Sequence, residues 1–196
     1  MKRRIAGLVA ALAVLTVLAG CSTEPGVEKY VTDAPGNYNS EDGAVTKIAE
    51  ANRGEVVSYS SETTDGVAVD STDYLGDVVV VNFWYAACPP CRVEAPDLQA
   101  LNEQFTGKGV SFIGVNVRDQ ADTAKNVEEE WGLTYPSVID TNNGNMLLAF
   151  SATVQPNAAP TTLVIDKKGR VAGRILGQIT DPSILETMIS DTSKED

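Results

Sequence analysis

Histidine is absent from all 196 residues, and cysteine occurs only three times. No thiol here has an imidazole base beside it, and without histidine so few cysteines leave a tetrahedral zinc site short of ligands. Positive charge is also scarce: 15 lysines and arginines stand against 27 aspartates and glutamates, a net charge of −12. A chain of that sign is a poor partner for nucleic acid and is repelled by an anionic lipid leaflet. The apolar run from Ile5 to Gly20 is too short to favour a membrane-spanning helix, which needs about 20 residues. Internal repeats and low-complexity tracts are missing too. What remains is 43% hydrophobic and 21% charged, an ordinary globular composition with length for one domain and its core.

The apolar run follows Lys2, Arg3 and Arg4 and ends at Leu18-Ala19-Gly20-Cys21, so the front has the basic, apolar and small-residue regions of a secretory signal. The residues after Arg3-Arg4 do not match twin-arginine export. The tetrapeptide resembles the bacterial lipobox, in which cleavage before the cysteine follows diacylglycerol transfer to its thiol. This implies a lipoprotein signal peptide over 1–20 and a membrane anchor through lipidated Cys21, two acyl chains being enough for stable attachment. An uncleaved signal anchor is the alternative. Cleavage would leave 12 basic against 27 acidic residues, a net charge of −15. Residues 21–53 are polar, with Pro25, Pro35 and many Gly, Ser, Asn and Asp, and read as a tether in which 43–54 can form a short helix.

The folded domain is expected over 54–196. Short alternating segments in 55–71 are compatible with a hairpin, and Asp77–Tyr85 is a near-continuous apolar run, as in a strand buried on both faces. Leu98, Leu101 and Phe105 then recur at helical spacing. A buried strand over 110–117, a polar helix near 120–131, a short strand at 137–140 and a helical run near 146–150 follow. The segments 161–166 and 170–176 read as a hairpin, with Gly169 suited to a left-handed bulge position. A helix from Asp181 or Pro182 ends the pattern, which predicts an α/β fold with a central mixed sheet flanked by helices.

If Cys21 carries lipid, only Cys88 and Cys91 remain, and no scaffold of structural disulfides exists. Closing so short a ring would add only about 2 kcal/mol, against nearly 5 for a loop of 100 residues, so the pair suits a switch better than a staple. It lies where a buried strand runs into a helix. Cys88 falls at the N-cap and Pro89 near the first helical position, where proline starts a helix without loss. The unsatisfied N–H groups and positive dipole end there face the first sulfur and can lower its pKa below the free value of about 8.5, with no histidine needed. Arg92 can add positive charge. Cys91, nearly one turn in, is the more buried partner.

The segment Asn82–Pro96, "NFWYAACPPCRVEAP", resembles the active-site stretch of thioredoxin-fold proteins, specifically the membrane-anchored TlpA and ResA group related to the CcmG reductants of cytochrome c maturation. The likeness extends from about Glu55 to Ile189. It implies a thioredoxin-like fold with an N-terminal β-hairpin extension and a redox-active disulfide needing no cofactor or metal. It also implies a cis bond at Pro160, which with Ala159, Pro89 and Pro90 would contact the substrate chain; a plain strand start is the other reading of Pro160. Two departures matter: Asn82 stands where thioredoxins proper carry a buried Asp, and Ala87 where most relatives have Trp. Glu94, three residues after Cys91 on one helical face, matches a functionally important Glu of the ResA-like proteins. It is either an acid/base for the second thiol or a solvated carboxylate favoured by the helix dipole. Trp84 fits the core and a substrate platform equally, while Asp140 and Asp166 look like turn residues.

The expected function is thiol-disulfide exchange on the extracytoplasmic face of a bacterial membrane, with Cys88 attacking and Cys91 resolving. The resemblance points to a monomeric reductant of protein disulfides such as those of apocytochrome c, supplied by a membrane thiol-disulfide electron donor. A disulfide-forming oxidase uses the same residues in reverse. A peroxiredoxin would need its cysteine in a Thr-x-x-Cys context, which Asn82–Cys91 lacks.

Overall fold

All seven residues of the apolar run Val78–Trp84 are buried in the computed structural model, which describes residues 36–154 and 158–195. In chain order the strands are β1 (Tyr38–Asn39), β2 (Val45–Lys47), β3 (Ser60–Glu62), β4 (Ala68–Asp70), β5 (Val78–Trp84), β6 (Val110–Asn116), β7 (Ser137–Ile139), β8 (Thr161–Ile165) and β9 (Val171–Leu176). The α-helices are α1 (Pro89–Phe105), α2 (Ala121–Trp131), α3 (Asn145–Ala149) and α4 (Pro182–Ser193). Seven strands form one mixed sheet in the order β1-β2-β9-β8-β5-β6-β7, with β5, β6 and β7 parallel to one another and the remaining pairs antiparallel. This is the expected thioredoxin-like α/β fold; the hairpin expected over 55–71 is β3–β4, and β1–β2 forms an N-terminal hairpin ahead of it.

Because strand side chains alternate between faces, β5 feeds two cores. Val78 and Val80 pack with Leu98, Leu101 and Phe105 of α1 and Leu185, Met188 and Ile189 of α4. Val79, Val81 and Phe83 pack with Ile113, Val115, Met146 and Phe150, together with Tyr59 just before β3 and Val69 of β4. Asn82 shares the parity of Val78 and Val80, which aims its side chain at α1. The β8–β9 turn has Gly169 at φ +81°, as its bulge position requires, with a register shift between Val164 and Ile165. Asp166 accepts the N–H groups of Lys168 and Arg170 in that turn, and Asp140 accepts those of Met146 and Leu147 at the start of α3.

One expectation is corrected. The tether does not extend to residue 53, and 43–54 is not an α-helix: Val45, Thr46 and Lys47 pair with Ile175, Arg174 and Gly173 at the β9 edge of the sheet. The β-branched Val45 and Thr46 favour a strand once β9 offers a ladder, and the only helix nearby is a single 3₁₀ turn, Glu50–Asn52. Gly173 permits this close approach, since a Cβ there would meet the Thr46 carbonyl at 3.1 Å and the Met188 methyl. Arg53 then anchors the segment, its guanidinium buried against Asp166 at 2.9 Å. The lipidation position Cys21 and the signal segment lie outside the described residues.

Candidate active site

Strand β5 ends at Trp84, and four residues later α1 begins on a cysteine cap. Cys88 is the N-cap at φ −96° and ψ 102°, and Pro89 opens the helix. Pro89 and Pro90 carry no N–H, so the first amide hydrogen of α1 belongs to Cys91; it donates to the Cys88 sulfur at 3.2 Å. The next, from Arg92, goes to the Cys88 carbonyl at 3.2 Å. Cys88 and Cys91 are joined as a disulfide with Cα atoms 5.3 Å apart. Both are buried, at 1% and 2% exposure, so Cys91 is not the more buried of the two. Tyr85, Ala121, Val127, Trp131 and Ala159 pack around the cluster that holds them.

Ala159–Pro160 is the one cis peptide among the described residues. Pro160 is buried at the start of β8, and its carbonyl accepts the Gly177 N–H at 2.9 Å. Pro89 is exposed and Pro90 half-buried at the head of α1. Trp84 is corrected as a substrate platform: it is 2% exposed, its ring packs on Trp131 at 5.4 Å, and its indole N–H donates to Ser137 Oγ. The strand's own alternation turns Trp84 inward, and Gly114 leaves the room, since a Cβ there would approach both the Trp84 nitrogen and the Ser137 hydroxyl.

Glu94 is wholly buried rather than solvated. Its Oε1 accepts from Asn82 Nδ2 at 2.9 Å and its Oε2 from the Ile179 backbone N–H at 2.8 Å. Burial pushes its carboxyl up to about 7; the Ile179 and Asn82 donors resist the rise and the Asp97 charge adds to it. Asn82 also donates to Thr162 Oγ1 at 3.0 Å, because Asn82 and Thr162 are direct partners across β5 and β8. Thr162 and Ile179 were not singled out from sequence. The Thr162 contact follows from strand register, whereas Ile179 contributes only a backbone group and leaves no side-chain signature. Arg92 is exposed and paired with Glu130 at 2.7 Å. Among the described residues no group of three or more His, Cys, Asp or Glu side chains is arranged to hold a metal ion.

Two sulfurs across one helical cap, set on this sheet beside a cis-proline, can break and remake disulfides: the molecule is a thioredoxin-fold thiol-disulfide oxidoreductase. The profile of the Redoxin family matches residues 43–189, and the chain belongs to that family. It is 29% identical over 151 residues to the thiol-disulfide oxidoreductase ResA of Bacillus subtilis, spanning 77% of this chain and 80% of that protein. With ResA of Halalkalibacterium halodurans the identity is 30% over 134 residues, 68% of this chain and 73% of that one. Among solved structures, a secreted thiol-disulfide isomerase from Corynebacterium glutamicum aligns with a TM-score of 0.70 at 30% identity, covering 81% of this chain and 97% of that one. A DsbF homologue from Corynebacterium diphtheriae aligns at 0.67 and 30%, covering 79% and 97%.

Proposed function

We propose that this protein is a ResA-like reductant of protein disulfides, held by lipidated Cys21 on the extracytoplasmic face of a bacterial membrane after removal of 1–20. Its substrate class is the oxidised Cys-x-x-Cys-His segment of apocytochrome c. The observation that carries the reading is Glu94, a buried carboxyl with a pKa of about 7, one helical turn beyond Cys91. The Cys88 thiolate attacks one sulfur of the substrate disulfide, forming a mixed disulfide and releasing the other sulfur as a thiolate that takes a proton. Cys91 then loses its proton toward the Glu94 carboxylate and attacks Cys88 Sγ. The second substrate thiol leaves, and the enzyme is left as the Cys88–Cys91 disulfide. Ala159, packed against the cluster that holds the cysteines, would with Pro160, Pro89 and Pro90 meet an incoming chain. The protein acts as a monomer, and a membrane thiol-disulfide donor restores the dithiol.

A second reading, an oxidase or isomerase of exported proteins, draws support from the secreted isomerase of Corynebacterium glutamicum at 30% identity. One experiment separates them. Cells expressing Cys91→Ser, in which the mixed disulfide cannot be resolved, are acid-quenched and alkylated, and the redox state of the wild type is read in parallel. A reductant is found mainly as the dithiol, with Cys-x-x-Cys proteins trapped on Cys88. A mainly oxidised wild type trapping newly exported proteins would reverse the assignment.

A further inference from the structure

The loop after β6 is laced to the segment that leads into the cysteines. The Val117 N–H donates to the Trp84 carbonyl at 3.1 Å, and the Ala86 N–H donates to Asp119 Oδ2 at 2.6 Å. Asn116, fully buried, fixes the loop from below, its Oδ1 accepting the N–H groups of Arg118 and Asp119 at 3.1 and 2.7 Å. This places the Arg118 guanidinium over the Tyr85 ring, 4.0 Å from its centroid. Tyr85 in turn packs against the cluster that contains Cys88 and Cys91. A cation is thereby set over the ring that stands three residues before Cys88, beside the segment that leads into the cysteines.

Of the eleven lysines and arginines among the described residues, Lys47, Arg53, Arg92, Lys125, Lys168, Arg170 and Lys194 pair with carboxylates, and Lys167 and Arg174 donate to backbone carbonyls. Arg118, like Lys108, does neither, and it is the one held over an aromatic ring. The neighbouring Asp119 forms no ion pair with it, its Oδ2 being turned to the Ala86 N–H and the Asn116 amide. Seated over the Tyr85 ring and exposed, the guanidinium makes no hydrogen bond of its own, so its N–H donors are open to another group. The ligand those donors fit is a carboxylate, taken by two parallel hydrogen bonds.

We propose that Arg118, seated on Tyr85, is a specificity-determining residue that receives a carboxylate flanking the reactive cysteine of the partner protein. The inference rests on the exchange chemistry above and holds for either direction of exchange. Long-range attraction is not its source, since the net charge of −12 repels acidic partners; the preference is a contact effect.

The test uses the full chain, reduced, with two disulfide peptides that are identical except for Glu or Lys beside the cysteine. Rate constants are measured at about 0.15 M salt, where the Debye length is about 8 Å and the distant charges are damped. The wild type should favour the Glu peptide by roughly three- to fivefold, the scale of an exposed ion pair. Arg118→Glu should invert the ratio, and Arg118→Lys, which keeps the charge but loses the fork, should weaken it. A ratio unmoved by Arg118→Glu overturns the proposal. So does an equal slowing of both peptides, which would assign Arg118 to the Cys88 thiolate instead. A reduced protein that exchanged with neither peptide would overturn the exchange reading itself, and this one with it.

Discussion

Asn82 donates its side-chain amide to Glu94 at 2.9 Å, across the space between the middle of the sheet and the first helix and out of reach of solvent. The contact joins the position where thioredoxins carry a buried Asp to an acid on the opposite element. Both partners of the Glu94 carboxylate, Asn82 and the Ile179 N–H, are donors, and they favour its charged form. Burial favours the neutral one and is the larger effect. The result is a carboxyl at about 7 that both holds and yields a proton near neutrality, which the resolving step proposed for Cys91 would use.

Glu94→Gln keeps the shape and removes the titration. A carboxyl raised from about 4.5 when unfolded to about 7 when folded favours folding below pH 4.5 relative to higher pH, and that advantage is lost as pH rises through 7. The wild type should therefore lose on the order of 3 kcal/mol of stability across this window on account of Glu94. Urea unfolding of the oxidised protein between pH 4.5 and 8 should show this slope, flattened in Glu94→Gln. The variant should also resolve mixed disulfides roughly 10- to 100-fold more slowly, with the pH dependence near 7 gone. Parallel stability curves for the two proteins would remove Glu94 from the titration.

The helix-capping cysteine, the doubly buried strand before it and the β8–β9 hairpin were legible because each is written in local residue chemistry: Cys-Pro-Pro-Cys, an unbroken apolar run, a glycine at a bulge. The N-terminal strand at Val45–Lys47 was not, because its polar composition resembles a tether and its partner at Gly173–Ile175 lies far along the chain. For Glu94 the sequence left two readings open, an acid/base for the second thiol and a solvated dipole partner; the choice needed Asn82 and Ile179, which are brought to it by the sheet and by the β9–α4 connection. Trp84 was ambiguous for a related reason: strand parity settles its direction only when the two faces are known.

The proposed anchor at Cys21 lies outside the described residues, and it has a direct test. Cys21→Ala removes the thiol that would receive diacylglycerol, and one step of lipoprotein maturation with it. Fractionated cells should show the variant either released from tight membrane association or retained as a precursor longer by the signal segment. Two acyl chains give stable attachment where weaker contacts do not, so washing with high salt should leave the wild type bound. A mature variant that stays on the membrane through the same wash would place the anchor elsewhere.

The last prediction concerns how Cys88 is activated without an imidazole. Because Pro89 and Pro90 supply no amide hydrogens, stabilisation of the Cys88 sulfur comes from the single N–H of Cys91 and the helix dipole. In the reduced protein, iodoacetamide should modify Cys88 with a midpoint below the free-thiol value of about 8.5, and Cys91 more slowly at every pH up to that value. Pro90→Ala restores one N–H to the first turn, where it can face the same sulfur. This should move the Cys88 midpoint lower still while the midpoint of Cys91 is unchanged. Equal reactivity of the two thiols at neutral pH in the wild type would show that the helix terminus is not the activating group.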